Sequence, residues 1–159
     1  MKQEEIERRM REGRNSLKPL IEEETEDQDL KKPQPSLVKE AMTSNIIALP
    51  TDFEHLTIDN DFLHVINTRQ SHRVYTQQKM SLLELSYLLW CTQGVKEIRG
   101  KSYATLRTVP CGGARHEFEC YMVIQNVDGL KDGYYHYLPM HHQIEMLKED
   151  SDLHDFISV

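Results

Sequence analysis

The stretch "RQSHRVY", Arg69 to Tyr75, sets two arginines and a histidine around one serine in a chain that is acidic overall. A guanidinium is a planar fork of donors that fits a phosphate in a bidentate manner, and the Ser71 hydroxyl can donate or accept beside it. Arg69, Ser71 and Arg73 are therefore candidates for holding an anionic ligand. The same spacing also suits two arginines that only complement the negative end of a helix macrodipole, an effect of about 0.3–1 kcal/mol. Spacing alone leaves both readings open. A second candidate lies in "TVPCGGARHEFECY", residues 108–121. Gly112 and Gly113 let a backbone come close to a ligand, and a turn leading to a strand is a place where N–H groups face one. The alternative is a plain tight turn. Cys111 and His116 are five residues apart in that segment, a separation that says little about a thiol nucleophile and its base. His136, His141 and His142 lack a carboxylate or cysteine at ligand spacing, so surface imidazoles on a hairpin are expected and no metal site. No residue is assigned as a general base, and the catalytic residues are unknown at this stage.

The elements that must position these residues follow from patterning. Residues 1–58 read as a charged, partly extended leader. A short helix over Glu4–Arg11 ends at Gly13, Glu22 to Asp29 is a solvated acidic run, and Pro33 and Pro35 favour extended chain. Ile46, Ile47 and Leu49 are expected to lie across a neighbouring surface. From Asp59 or Asn60, which can cap, Phe62, Leu63, Val65 and Ile66 predict an amphipathic helix running to Thr68 or Arg69, so the arginine cluster falls at its C-terminal end. Ser81 and Glu84 form a capping box ahead of Leu82, Leu85, Leu88 and Leu89, and Gly94 is expected to end that helix in a left-handed conformation. Residues 95–117 read mostly as loop, with a short helix after Pro110. Tyr121 to Ile124 predicts a buried strand, and "YYHYL" and "IEMLK" two more in an antiparallel meander. Helices followed by strands indicate an α+β fold.

Composition narrows the classes of function. At 159 residues one domain is the prior. Nineteen basic against 26 acidic residues give a net charge of −7, which argues against general affinity for nucleic acid or an anionic membrane. The longest apolar run, within "LLELSYLLWC", is too short to span a bilayer, and the N-terminus has no signal-peptide core, so a cytoplasmic location is expected. Cys91, Cys111 and Cys120 form no CxxC pair, which suggests neither a disulfide framework nor zinc.

Several of these motifs together resemble the nitroreductase-like flavoproteins, and most closely the SagB-type dehydrogenases. The resemblance is carried by "RQSHRVY", "MSLLELSYLLWCTQGV" and "RTVPCGGARHEFECYMVIQNVDGLKDGYYHY", with "GRNSLKP", "DQDLKKPQP" and "IIALP" similar to the leader of that family. It extends from about Gly13 to Leu147. The resemblance implies an FMN-dependent α+β fold, with Arg69, Ser71 and Arg73 at the phosphate, ribityl chain or ring edge of the flavin. It further implies that Pro110, Cys111, Gly112, Gly113 and Ala114 reach a flavin at the interface of a homodimer. Cys111 stands where the family has Ser, and Glu117 where it has Pro. Family members continue well beyond this point, so residues 59–159 are expected to be the N-terminal half of a truncated domain ending in the meander. The implied function is hydride transfer through bound FMN, acting on a small molecule or a peptide. The alternative is a non-catalytic subunit that binds or assembles with a partner, including a chain supplying the missing half.

Overall fold

The computed structural model describes residues 3–16 and 30–153, and the acidic run Glu22 to Asp29 lies outside the described residues. The chain divides into two compact units, Met1–Ser36 and Leu37–Val159. In the first, helix α1 spans Gln3–Ser16 and so continues through Gly13, where the sequence suggested a stop. A glycine inside a helix costs roughly 0.5–1 kcal/mol. Against this stands a ladder of pairs one turn apart: Arg8 bonds Glu5 at 2.9 Å and Glu12 at 2.7 Å, and Arg9 bonds Glu5 at 3.0 Å. Such exposed pairs support the helix modestly, and Glu4 and Glu5 in the first turn also complement the macrodipole.

The second unit starts at Leu37, so it takes in residues 37–58 that the sequence reading assigned to the leader. Ile46–Ala48 is strand β1, not a strip lying across a neighbour. Helix α2, Phe62–Thr68, is followed by helix α3, Leu82–Gln93. Strands β2, Val95–Arg99, and β3, Ala104–Arg107, pair as an antiparallel hairpin in a region that the sequence reading left as loop. Its turn uses the positive φ of Gly100 (65°) and Ser102 (62°). Strands β4, Tyr121–Ile124, β5, Gly133–Leu138, and β6, Gln143–Glu149, follow. The main sheet has the order β1-β6-β5-β4, all antiparallel, which confirms the meander and adds β1 at its edge.

Helix α3 is fixed at its start by the capping box: the Ser81 Oγ accepts from the Glu84 N–H at 3.2 Å, and the Glu84 carboxylate accepts from the Ser81 N–H at 2.7 Å. Its inner face buries Leu85, Ser86 and Leu89. These pack with Leu49, Ile124, Val127, Tyr135, Tyr137 and Ile144 into one core. Tyr135 and Tyr137 share a face because side chains alternate along a strand, and both are 1% exposed. Strand β4 is an edge strand on which only Ile124 is fully buried, whereas the continuous apolar run Tyr121 to Ile124 predicted burial throughout.

Gly94 does end α3, but its φ of −57° and ψ of 128° are not left-handed. The requirement for glycine is steric: a Cβ there would lie 2.5 Å from the Trp90 ring and 2.6 Å from the Trp90 carbonyl. Gly94→Ala is expected to destabilise the protein by about 1–3 kcal/mol through this overlap, seen as a lower urea midpoint with an unchanged slope.

Candidate functional site

The arginine cluster sits where the sequence placed it, on extended chain directly after α2. Asp61 caps that helix by accepting from the His64 N–H at 3.0 Å, and Arg69 is its C-terminal boundary, with φ −57° and ψ 125°. Arg69, Ser71 and Arg73 are all exposed. Among the described residues, none of the three side chains has a hydrogen-bond or ion-pair partner. The segment is also unusually apolar for an exposed one. Val74 is 91% and Tyr75 84% exposed, and Phe62, Leu63, Val65 and Ile66 of α2 face solvent rather than the core expected of an amphipathic helix. A cleft of about 470 Å³ continues from this segment, lined by Thr76, Gln78, Met80, Tyr87 and Leu88 among others.

The glycine turn is built on the β2–β3 hairpin. Arg107, at the end of β3, is 7% exposed and is held by neutral acceptors: its Nε donates to the Thr105 Oγ1 at 3.1 Å and its Nη1 to the Gln93 Oε1 at 2.7 Å. Burial pushes its pKa below the usual arginine value, yet a guanidinium remains charged. Residues Gly112–Ala114 then form one tight turn rather than the short helix expected after Pro110, because the backbone at Gly113 is not helical. Gly113, Ala114 and His116 all have positive φ, at 63°, 55° and 51°. The Cys111 Sγ accepts the His116 N–H at 3.2 Å and donates to the Glu117 carboxylate at 3.3 Å. The two positions that depart from the resembled motif are thus in contact with each other. The Glu117 carboxyl is held below its usual range by its own backbone N–H and by that thiol. Pro110, Gly112 and Gly113 are exposed, and nothing lies within 4 Å of where a Cβ on Gly112 would be. No hydrogen bond joins this turn to Arg69, Ser71 or Arg73 among the described residues, and the 470 Å³ cleft is lined by neither group.

Two histidines expected at the surface are buried. His136 is 0% exposed, with its Nδ1 2.8 Å from Glu145 and its Nε2 3.1 Å from Glu119. His142 bridges Ser86 and Tyr137, each at 2.7 Å, and the Ser86 hydroxyl donates to the Pro50 carbonyl. Burial requires such partners, and they come from residues 5 to 56 positions away, so apart from Tyr137 no local spacing advertised them. The sequence reading also passed over Arg107, Gln93 and Glu119, for the same reason. Only His141 of the three is exposed, and no group of residues suited to a metal ion occurs among the described residues. Among them, too, no helix is long and apolar enough to cross a membrane.

No model of a known protein family matches the chain. Over 109 residues, 69% of its length, it is 32% identical to a protein of Methanocaldococcus jannaschii named "putative nitroreductase", of which it spans 50%. Among solved structures it is similar to a crystal structure from Ralstonia eutropha JMP134 named in the same way. There the identity is 27% and the TM-score 0.50, with 73% of this chain and 48% of that one covered. The chain spans about half the length of the relatives it matches. Over that half, sequence and fold are both nitroreductase-like, and the mixed helix and sheet architecture agrees with the α+β expectation.

Burial pushes both His116 and His142 below the ordinary imidazole value of 6.5. The unfolded chain therefore takes up protons first as pH falls, and stability present above pH 6.5 is lost below it. Urea unfolding measured across that range is expected to show the decline, with a shallower slope in His142→Gln.

Proposed function

We propose that the chain carries the N-terminal part of an FMN-dependent oxidoreductase of the nitroreductase family, of the SagB type, working in the cytoplasm. The observation that carries this reading is the set of donors on Arg69, Ser71 and Arg73, which stand exposed with no protein partner among the described residues. Two guanidinium groups with a hydroxyl between them match a phosphate monoester, and among the described residues no carboxylate occupies them. The residues of the glycine turn also fit a flavin. Gly112 leaves open space where any other residue would place a Cβ, and Gly113 holds the left-handed backbone that lets the turn double back. Bound flavin would supply the two-electron chemistry.

In this reading Arg69 and Arg73 neutralise the phosphate, and Ser71 hydrogen-bonds the phosphate or ribityl chain. Pro110 to Ala114 offer backbone N–H groups and a close apolar wall. Arg107 stiffens that wall from behind, since its bonds to Thr105 and Gln93 tie β3 to the end of α3. Cys111 offers a thiol where the resembled motif has a hydroxyl, a weaker partner for a ligand oxygen.

The apolar faces of α2 and of Val74-Tyr75, left in water here, support a second element of the proposal. They are suited to burial against another subunit, in a homodimer or with a different partner chain. The substrate would be a small molecule or a peptide. A non-catalytic assembly subunit is the second reading, and the same exposed faces favour it.

Arg69→Ala and Arg73→Ala are each expected to weaken FMN binding roughly 10- to 100-fold, the usual worth of a hydrogen bond to a charged group. The double variant should lose the flavin absorption band on dialysis, while its circular dichroism stays that of the parent. A band equally retained in the double variant would remove these arginines from the site.

A further inference from the structure

The sheet has a second face, turned away from α3, and residues 37–45 lie on it without regular secondary structure. Ile144 points into the core, so Glu145, the next residue of β6, points to this opposite side. Glu145 is 0% exposed, and one of its oxygens accepts two backbone N–H groups of the segment, Met42 at 2.8 Å and Thr43 at 2.6 Å. Its other oxygen meets His136 at 2.8 Å, and His136 in turn meets Glu119 at 3.1 Å. Glu119 accepts the Lys39 N–H at 3.2 Å, and the Lys39 Nζ donates to the Tyr121 hydroxyl at 2.8 Å. The Tyr121 ring stacks on His136 with centroids 4.6 Å apart. Beyond Glu145, the Thr43 Oγ1 bonds the Met146 carbonyl and the Asn45 carbonyl accepts the Met146 N–H. Glu145 thus fastens the middle of the segment directly, and Glu119, linked to it through His136, fastens Lys39.

We propose that residues 37–45 are a strap, docked on the sheet while Glu145 is ionised and released when acid protonates it. A protonated carboxyl cannot serve as a full acceptor for two amides and an imidazole N–H at once. The remaining charged and titratable groups around it are Lys39 on the strap, Glu119 and Tyr121 at β4, His136 on β5, and Arg107, whose charge reaches Glu119 from β3. Burial pushes Glu145 up, but the bonds from His136 and from the Met42 and Thr43 amides outweigh it and leave its pKa below the ordinary value of 4.5. The docking contribution is therefore complete above that value and is lost as pH falls beneath it. A cavity of about 370 Å³ already lies between strap and sheet, lined by Val38, Ala41, Ile46, Leu138 and Met140 among others, and release would expose its apolar floor. The α3 core lies on the other face and is not part of the clasp.

The test is amide hydrogen exchange in the full chain, followed by NMR from about pH 7 to about pH 3.5, on either side of the carboxylate range. Over that range the protection factors of Met42 and Thr43 are expected to fall several-fold, up to about tenfold, beyond the decline of Tyr135 and Tyr137, which follows the global loss of stability. Glu145→Gln should start with lower protection at the two strap amides and show no further fall. Parallel loss in strap and core would overturn the proposal, since it would mean global unfolding. So would strap protection that does not change with pH. The parent chain decides the matter by itself should Glu145→Gln fail to fold.

Discussion

Leu85 and Leu89 of α3 packed on Tyr135, Tyr137 and Ile144 form the contact from which every other position in the second unit is set. Fully burying such side chains is worth about 1.5–3 kcal/mol apiece, against about 1 kcal/mol net for each hydrogen bond nearby. Apolar contact therefore supplies the stability. The polar chain from Tyr137 through His142 and Ser86 to Pro50 supplies register, because a helix slid by one turn would leave three buried polar groups without partners.

With α3 placed, both candidate flanks follow. The chain enters α3 from the arginine segment, and it leaves through Gly94 into the hairpin that carries the glycine turn. The Thr108 hydroxyl bonds the Trp90 carbonyl at 2.7 Å and its N–H the Gly94 carbonyl at 2.9 Å, so the base of the turn is tied to the end of the helix. The base of the turn is thereby anchored, whereas the arginine segment is extended and exposed. Binding at such a place must order the segment as well as neutralise charge. The exposed apolar face of α2 offers a means of ordering it, since burying that face against another chain would hold Arg69 at the edge of the buried area.

The features legible in the sequence were those written locally. The Ser81–Glu84 box, the stop at Gly94 and the β5–β6 hairpin are set by residues a few positions apart, and all are present. Gly94 shows the limit of that reading, because its necessity comes from the Trp90 ring and not from its own dihedral angles. The β2–β3 hairpin was missed because "VKEIR" is mostly exposed and a lone Gly100 resembles loop chemistry. His136 and His142 were misplaced because burial of a polar ring depends on distant partners. The arginine cluster and the glycine turn were legible as motifs, but the pairing of Cys111 with Glu117 needed coordinates.

The most direct measurement is calorimetric titration of the whole chain with FMN alongside riboflavin, which lacks the phosphate. The account expects saturable binding of FMN, with riboflavin weaker by at least the factor that two charged hydrogen bonds contribute, roughly 100-fold. Equal affinity for the two, or no heat from either, would contradict the assignment of Arg69, Ser71 and Arg73 to a flavin phosphate.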